Sequence, residues 1–209
     1  MIAALLLAAA LPGPLDAERA FARDAQRIGQ WTSFRKYADR DAVMFTPQAV
    51  WARDFLRDRK DPPKSISWRA AQSFVSCDGR TAVNTGPWFT PSGRLAGYFT
   101  TVWQRGRTGW RWVYDGGIPA PVRATKNAPP RINRAACTPR APGAPVIPPP
   151  PLTMKQARTT PEDRGRGESA DKTLGWDWKV DKKGERRFRV YQWKGDRYFQ
   201  VMNSTDPSP

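Results

Sequence analysis

Apolar residues recur at three- and four-residue intervals from Leu15 to Ala38, at Phe21, Ala25, Ile28, Trp31 and Phe34, with Arg19, Arg23, Asp24, Arg27, Arg35 and Lys36 on other faces. That is the period of an amphipathic helix. Ala42-Val43-Met44-Phe45-Thr46 is short, apolar and stopped by Pro47, which fits a strand or a buried turn. A second helix carrying Val50, Trp51, Phe55 and Leu56 is predicted to stop before Pro62-Pro63. The period then changes. Ser65 to Ser76, Thr81 to Thr90, Leu95 to Gln104 and Trp110 to Asp115 are rich in Trp, Phe, Val, Thr and Tyr, as strands are. Between them lie turn segments, of which Asp78-Gly79 and Ser92-Gly93 are good hairpin turns. Four such strands make an antiparallel meander, and helices followed by a meander predict an α+β fold with the helices packed on one face of the sheet.

From Ile118 to Leu152 the chain holds 11 of its 21 prolines, five Lys or Arg and no acid, ending in Pro148-Pro149-Pro150-Pro151. Such a stretch reads as an extended connector rather than a core. Order returns in the tail. Leu174, Trp176, Trp178 and Val180 alternate with Asp177 and Lys179, the pattern of a half-buried strand, and Phe188 to Trp193 and Tyr198 to Met202 follow. Three strands of this size are marginal alone, so the tail is expected to dock on the first domain, to extend its sheet, or to pack on a partner chain.

Composition narrows the chemistry. The 209 residues include 35 Lys and Arg against 19 Asp and Glu, a formal charge of +16, and no histidine. Without histidine the Ser/His/Asp and Cys/His triads and any His general base are excluded. No Gly-rich phosphate loop follows a strand, and Gly165-Arg166-Gly167-Glu168-Ser169 lacks the spacing and context of one, so no cofactor and no metal site is expected. The basic residues are dispersed and accompany no recognition motif, which favours weak attraction to an anionic envelope surface over nucleic acid.

The apolar run from Ile2 to Leu11 is too short to span a membrane and reads as a signal peptide with cleavage near Ala17, or else as a buried extension of the first helix. Export to the periplasm is the location this implies. The only two cysteines, Cys77 and Cys137, then pair as a disulfide; without export they read as unrelated thiols.

Two stretches resemble a known superfamily. Phe34 to Phe45, a helix running into "YADRDAVMF", resembles the helix-to-strand step of the nuclear-transport-factor-2-like superfamily. Gly97 to Arg105 followed by Gly109 to Gly117, "GYFTTVWQR" and "GWRWVYDGG", resembles its SnoaL-like branch, in exported bacterial members of unassigned function. The resemblance implies a curved antiparallel sheet wrapped around N-terminal helices as a cone with an apolar pocket. It also implies a dehydratase, isomerase or cyclase activity or binding alone, and often a homodimer formed through the open sheet face. The organisation that follows is a leader at 1–17, a cone domain at 18–117, a Pro-rich linker at 118–160 and a C-terminal β extension at 161–209.

An acid–base site without histidine needs a buried carboxylate with a raised pKa, paired for instance with a tyrosine. Asp41 and Asp115 are the candidates, with Tyr37, Tyr98 and Tyr114 near in sequence, although a turn or strand-end role fits both acids as well. Trp51, Phe55, Trp103 and Trp112 are the candidate lining of a pocket for a small apolar ligand, core packing being the alternative. On a strand of period two, Trp110 and Trp112 share one face and Arg111 and Val113 the other. Non-catalytic binding of a small apolar ligand or an envelope partner is the function the sequence favours, and an Asp/Tyr enzyme is the alternative.

Overall fold

The computed structural model describes residues 12–46, 48–119, 128–139 and 163–206. Its helices are α1 Pro14–Ile28, α2 Gln30–Tyr37 and α3 Ala52–Leu56. The single helical period from Leu15 to Ala38 is thus divided, and Gly29 divides it. Gly29 stands at φ 105°, and a Cβ there would fall 2.3 Å from the Asp61 carboxylate. That carboxylate holds the start of α2 by accepting from the Thr32 backbone N–H at 2.9 Å and the Thr32 hydroxyl at 2.6 Å. Pro14 to Ala17 form the first turn of α1, with Ala17 buried, so the expected leader cleavage point falls inside this helix. Residues 1–11 lie outside the described residues.

The first sheet contains β1 Ala38–Phe45, β2 Ala49–Trp51, β3 Ser67–Trp68, β4 Gln72–Val75, β5 Thr81–Phe89, β6 Leu95–Gly106, β7 Gly109–Pro119 and β8 Arg131–Arg134. Its order is β2-β1-β7-β6-β5-β4-β8, with β3 paired to the end of β5. The meander is present as β4 to β7, but the sheet is mixed, because β1 runs parallel to β7 and β8 parallel to β4. Three expectations are corrected. Val50 and Trp51 extend a strand instead of a helix, Ser65 to Ser76 divides into β3 and β4, and residues 131–134 of the Pro-rich stretch join the sheet edge. The rest of that stretch, 120–127 and 140–162, lies outside the described residues.

Both faces of this sheet are buried, each by a different set of side chains. Strand alternation sends Ala42 and Met44 of β1 to the helix side and Val43 to the other. The helix side, or inner face, packs Phe99, Trp103, Trp110 and Trp112 against Phe21, Ala25 and Phe34. The outer face carries Phe74, Val83, Val102 and Tyr114, and a second sheet covers it.

That sheet is β9 Arg164–Glu168, β10 Leu174–Val180, β11 Arg186–Trp193 and β12 Tyr198–Asp206, antiparallel in the order β12-β11-β10-β9. The apolar stripe of β10 docks on this chain's own first sheet. Trp178 meets Phe45 edge-on at 5.0 Å between ring centres, and Tyr114 lies 4.4 Å from Phe188. Gln192 Nε2 donates across the junction to the carbonyls of Asn133 and Val75, at 2.8 and 3.2 Å. The outer face of the first sheet is therefore covered by the chain's own second sheet. β9 has no apolar alternation to betray it. Its Gly165 and Gly167 face Trp178 and Trp176, where a Cβ would fall 2.5 and 2.2 Å from the indoles. These glycines make room for the two largest side chains of β10.

At one end of the first sheet the Cys77–Cys137 disulfide ties the chain after β4 to the chain after β8, with its Cα atoms 5.1 Å apart. Beside it the backbone N–H groups of Cys77 and Asp78 donate to Thr173 and Asp171 in the turn between β9 and β10, at 2.8 and 2.7 Å. The bridge joins residues 60 apart, and on loop entropy alone it stabilises the fold by about 4 kcal/mol. Replacing both cysteines by serine should lower the free energy of unfolding in urea by about 2–4 kcal/mol. An unchanged denaturation midpoint would show that strand pairing and the neighbouring hydrogen bonds hold this end of the sheet unaided.

Candidate functional site

The inner face holds a cavity of about 130 Å³ between the helices and the sheet. Phe34 from α2, Ile66, Trp68 from β3, Trp88 from β5 and Phe99 from β6 line it, with Asp115 and Gly117 from β7. The walls are aromatic, and Asp115 is the one charged residue among them.

A single extra residue brings Asp115 to this face. Along β6 and β7 the pairing runs Val102 with Tyr114 and then Trp103 with Trp112, so Val113 is left over as a β-bulge. Val113 and Tyr114 both contribute to the outer core, whereas Trp112 stays with the inner one. Strict period two would put Asp115 outside with Arg111. The bulge inverts the parity, and Asp115 enters the inner face opposite Thr101, whose hydroxyl donates to Asp115 Oδ2 at 2.9 Å.

Burial pushes the Asp115 carboxyl up to about 7, against the Thr101 hydrogen bond, which favours the ionised form. The nearby Glu18 adds to the rise, and Arg186 across the sheet opposes it. Arg186 is itself engaged by Asp206 at 3.0 Å and by the Gly117 carbonyl at 2.5 Å. Asp115 is therefore far more readily protonated than an ordinary carboxyl, and can donate or accept a hydrogen bond in the cavity.

Glu18 was not signalled by the sequence, where it reads as an ordinary polar position of an amphipathic helix. It is buried on the inward side of α1, 1% exposed. Its carboxyl accepts from Trp68 Nε1 at 2.8 Å, Trp103 Nε1 at 2.7 Å and Asn84 Nδ2 at 3.1 Å. Burial raises its pKa, and these donors partly offset the rise. Three neutral donors converging on one acid fix α1 to β3, β5 and β6 at the depth of the cavity. The only sequence signal was two tryptophans without assigned partners for their N–H groups.

The sequence candidates separate. Asp41 is exposed on β1, where its backbone N–H donates to Asp39. Tyr98 faces the other side of β6 and lines an outer groove with Met202. Tyr114 is buried against Phe45 and Phe188, and Tyr37 donates to Asp24 at 3.0 Å. None of these tyrosines lines the cavity with Asp115. Trp51 belongs to the outer core, and Trp103 and Trp112 are buried in the inner core but are not among the residues lining the cavity. Phe55 packs against Trp31 at 6.1 Å, at the rim of that core.

No family model and no curated protein matches the chain. Solved structures overlap with about half of it. One is a candidate aromatic ring hydroxylase from Novosphingobium aromaticivorans, at 15% identity and TM-score 0.37, covering 53% of this chain and 89% of that one. Another is a candidate calcium/calmodulin-dependent protein kinase type II association domain from Thiobacillus denitrificans, at 16% identity and TM-score 0.40, covering 53% and 98%. A third is the CamKII hub homology domain of Chlamydamonas reinhardtii, at 17% identity and TM-score 0.37, covering 50% and 94%.

The raised Asp115 pKa has a sign that stability measurements can read. Its proton is held more tightly in the folded chain than in the unfolded one, whose value is about 3.9. The resulting stabilisation is complete below about pH 4 and is lost as pH rises to about 7. Asp115→Asn should therefore gain stability relative to the native protein between pH 4 and 8, by up to about 4 kcal/mol, as measured by urea unfolding at each pH. A constant difference between the two proteins across that range would contradict the assignment.

Proposed function

We propose that the chain binds a compact, largely apolar small molecule in the inner-face cavity, against Asp115, without chemically transforming it. The observation that carries this reading is an aromatic-walled cavity of about 130 Å³ with one titratable group in its lining. Its size suits a single ring or a branched group, since an engineered apolar cavity of about 150 Å³ takes up benzene. Proton transfer by Asp115 is the second reading, supported by a carboxyl poised at about 7. Binding is favoured over it because Asp115 has a hydroxyl and another acid beside it, with no tyrosine in the lining.

Export is part of the proposal, supported by the disulfide. No helix among the described residues is long and apolar enough to cross a membrane. The formal charge of +16 supports weak, salt-sensitive attraction to an anionic envelope surface.

The test is uptake of benzene and toluene, followed by thermal denaturation and by isothermal titration. Binding should raise the melting temperature in proportion to the logarithm of ligand concentration. Ile66→Trp, which places an indole at the cavity wall, should abolish the shift while leaving the protein folded. No shift in the native protein would overturn the proposal.

A further inference from the structure

We propose that the cavity's occupant is a small organic ammonium ion, a methylated amine head held between the Asp115 carboxylate and the rings of Phe34, Trp68, Trp88 and Phe99. This rests on the binding reading above and names its ligand class. Four aromatic side chains and one carboxylate share a cavity of about 130 Å³, the combination by which proteins hold quaternary ammonium groups. Tryptophan is the strongest ring partner for a cation, and two of the four are tryptophan.

Charge selects the sign of the ligand. No Lys or Arg is among the lining residues, and Asp115 and the nearby Glu18 are both acids, so an anion finds no counter-charge there, and the Trp88 Nε1–H, buried without a partner, offers it only a neutral donor. The groups that act on Asp115 from the packed elements are Thr101 on β6, Glu18 on α1 and Arg186 on β11. Thr101 is neutral, Glu18 repels its charge, and Arg186 is occupied by Asp206 and the Gly117 carbonyl on the other side of the sheet. A cation in the cavity supplies the counter-charge that ionised Asp115 otherwise lacks. The positive charge elsewhere on the molecule acts from solvent, where salt screens it within about 8 Å.

Hydration selects among cations. The walls offer rings in place of the oxygen atoms that would replace a metal ion's or a primary ammonium's water, whereas a methylated ammonium sheds its water at little cost. The same head occurs free and on zwitterionic lipids, and the two sources are separable by experiment.

Isothermal titration of the intact protein with choline, and with 3,3-dimethyl-1-butanol as its uncharged isostere, tests the assignment at pH 6 and pH 8. Binding needs ionised Asp115, so choline affinity should rise about tenfold between these pH values, while the isostere binds more weakly at pH 8. Asp115→Asn should remove both the pH dependence and the preference for the cation. Co-sedimentation with pure phosphatidylcholine vesicles, together with choline binding, would identify the head on a lipid. Choline binding without co-sedimentation would identify the free molecule. If the isostere binds as tightly as choline, or choline affinity is flat with pH, the ammonium assignment fails and the apolar-ligand reading stands. If neither choline, its isostere nor benzene binds, both fail.

Discussion

One sheet serves two cores. The β6 and β7 strands at its centre send Trp103 and Trp112 towards the helices, and Val102 and Tyr114 towards the second sheet, and every one of these side chains is buried. A sheet covered on both faces must satisfy two apolar surfaces at once. Neither surface can be closed without its cover, because leaving Trp176 and Trp178 in water would forfeit on the order of 2–3 kcal/mol each. The helices, the first sheet and the C-terminal sheet are therefore energetically one body, and the hydrogen bonds of Gln192 and of the Cys77 and Asp78 backbone fasten the junction that hydrophobic burial creates.

Within that body the bulge at Val113 is what turns packing into a site. With strict alternation, Tyr114 would enter the inner core beside Trp112, and Asp115 would lie against the second sheet. The extra residue exchanges them: the tyrosine fills the outer core, and the acid enters an aromatic cavity next to Thr101. The cost of burying the acid appears as its elevated pKa. Glu18 performs the complementary task, since its three hydrogen bonds fix the helix over the strands that form the cavity walls.

The sequence made the α+β layout legible because its apolar period changes once, near Ser65, from helical to alternating, and because Asp78-Gly79 and Ser92-Gly93 mark real turns. The Leu174 to Val180 strand was legible for the same reason. What escaped has identifiable causes. β9 is built of glycines that accommodate the rings of Trp176 and Trp178, so it carries no apolar signal of its own. β8 borrows its order from β4 and from the disulfide, inside a stretch whose composition argues against structure. The parallel pairings of β1 and β8 are long-range choices that no local pattern encodes. Asp115 was legible as a candidate acid, but its direction depended on a bulge that period-two counting cannot detect. Glu18 reads as surface until the tryptophans that enclose it are located in space.

Two sheets that share a core open together. Native-state hydrogen exchange followed residue by residue measures this directly, because amides that open only on global unfolding report one common free energy. The amides of β6 and β7 and those of β10 and β11 should share that highest value, and should lose protection in parallel as urea is added. If β10 and β11 exchange through an opening of lower free energy while β6 and β7 remain protected, the second sheet is an appendage and the shared-core account is contradicted.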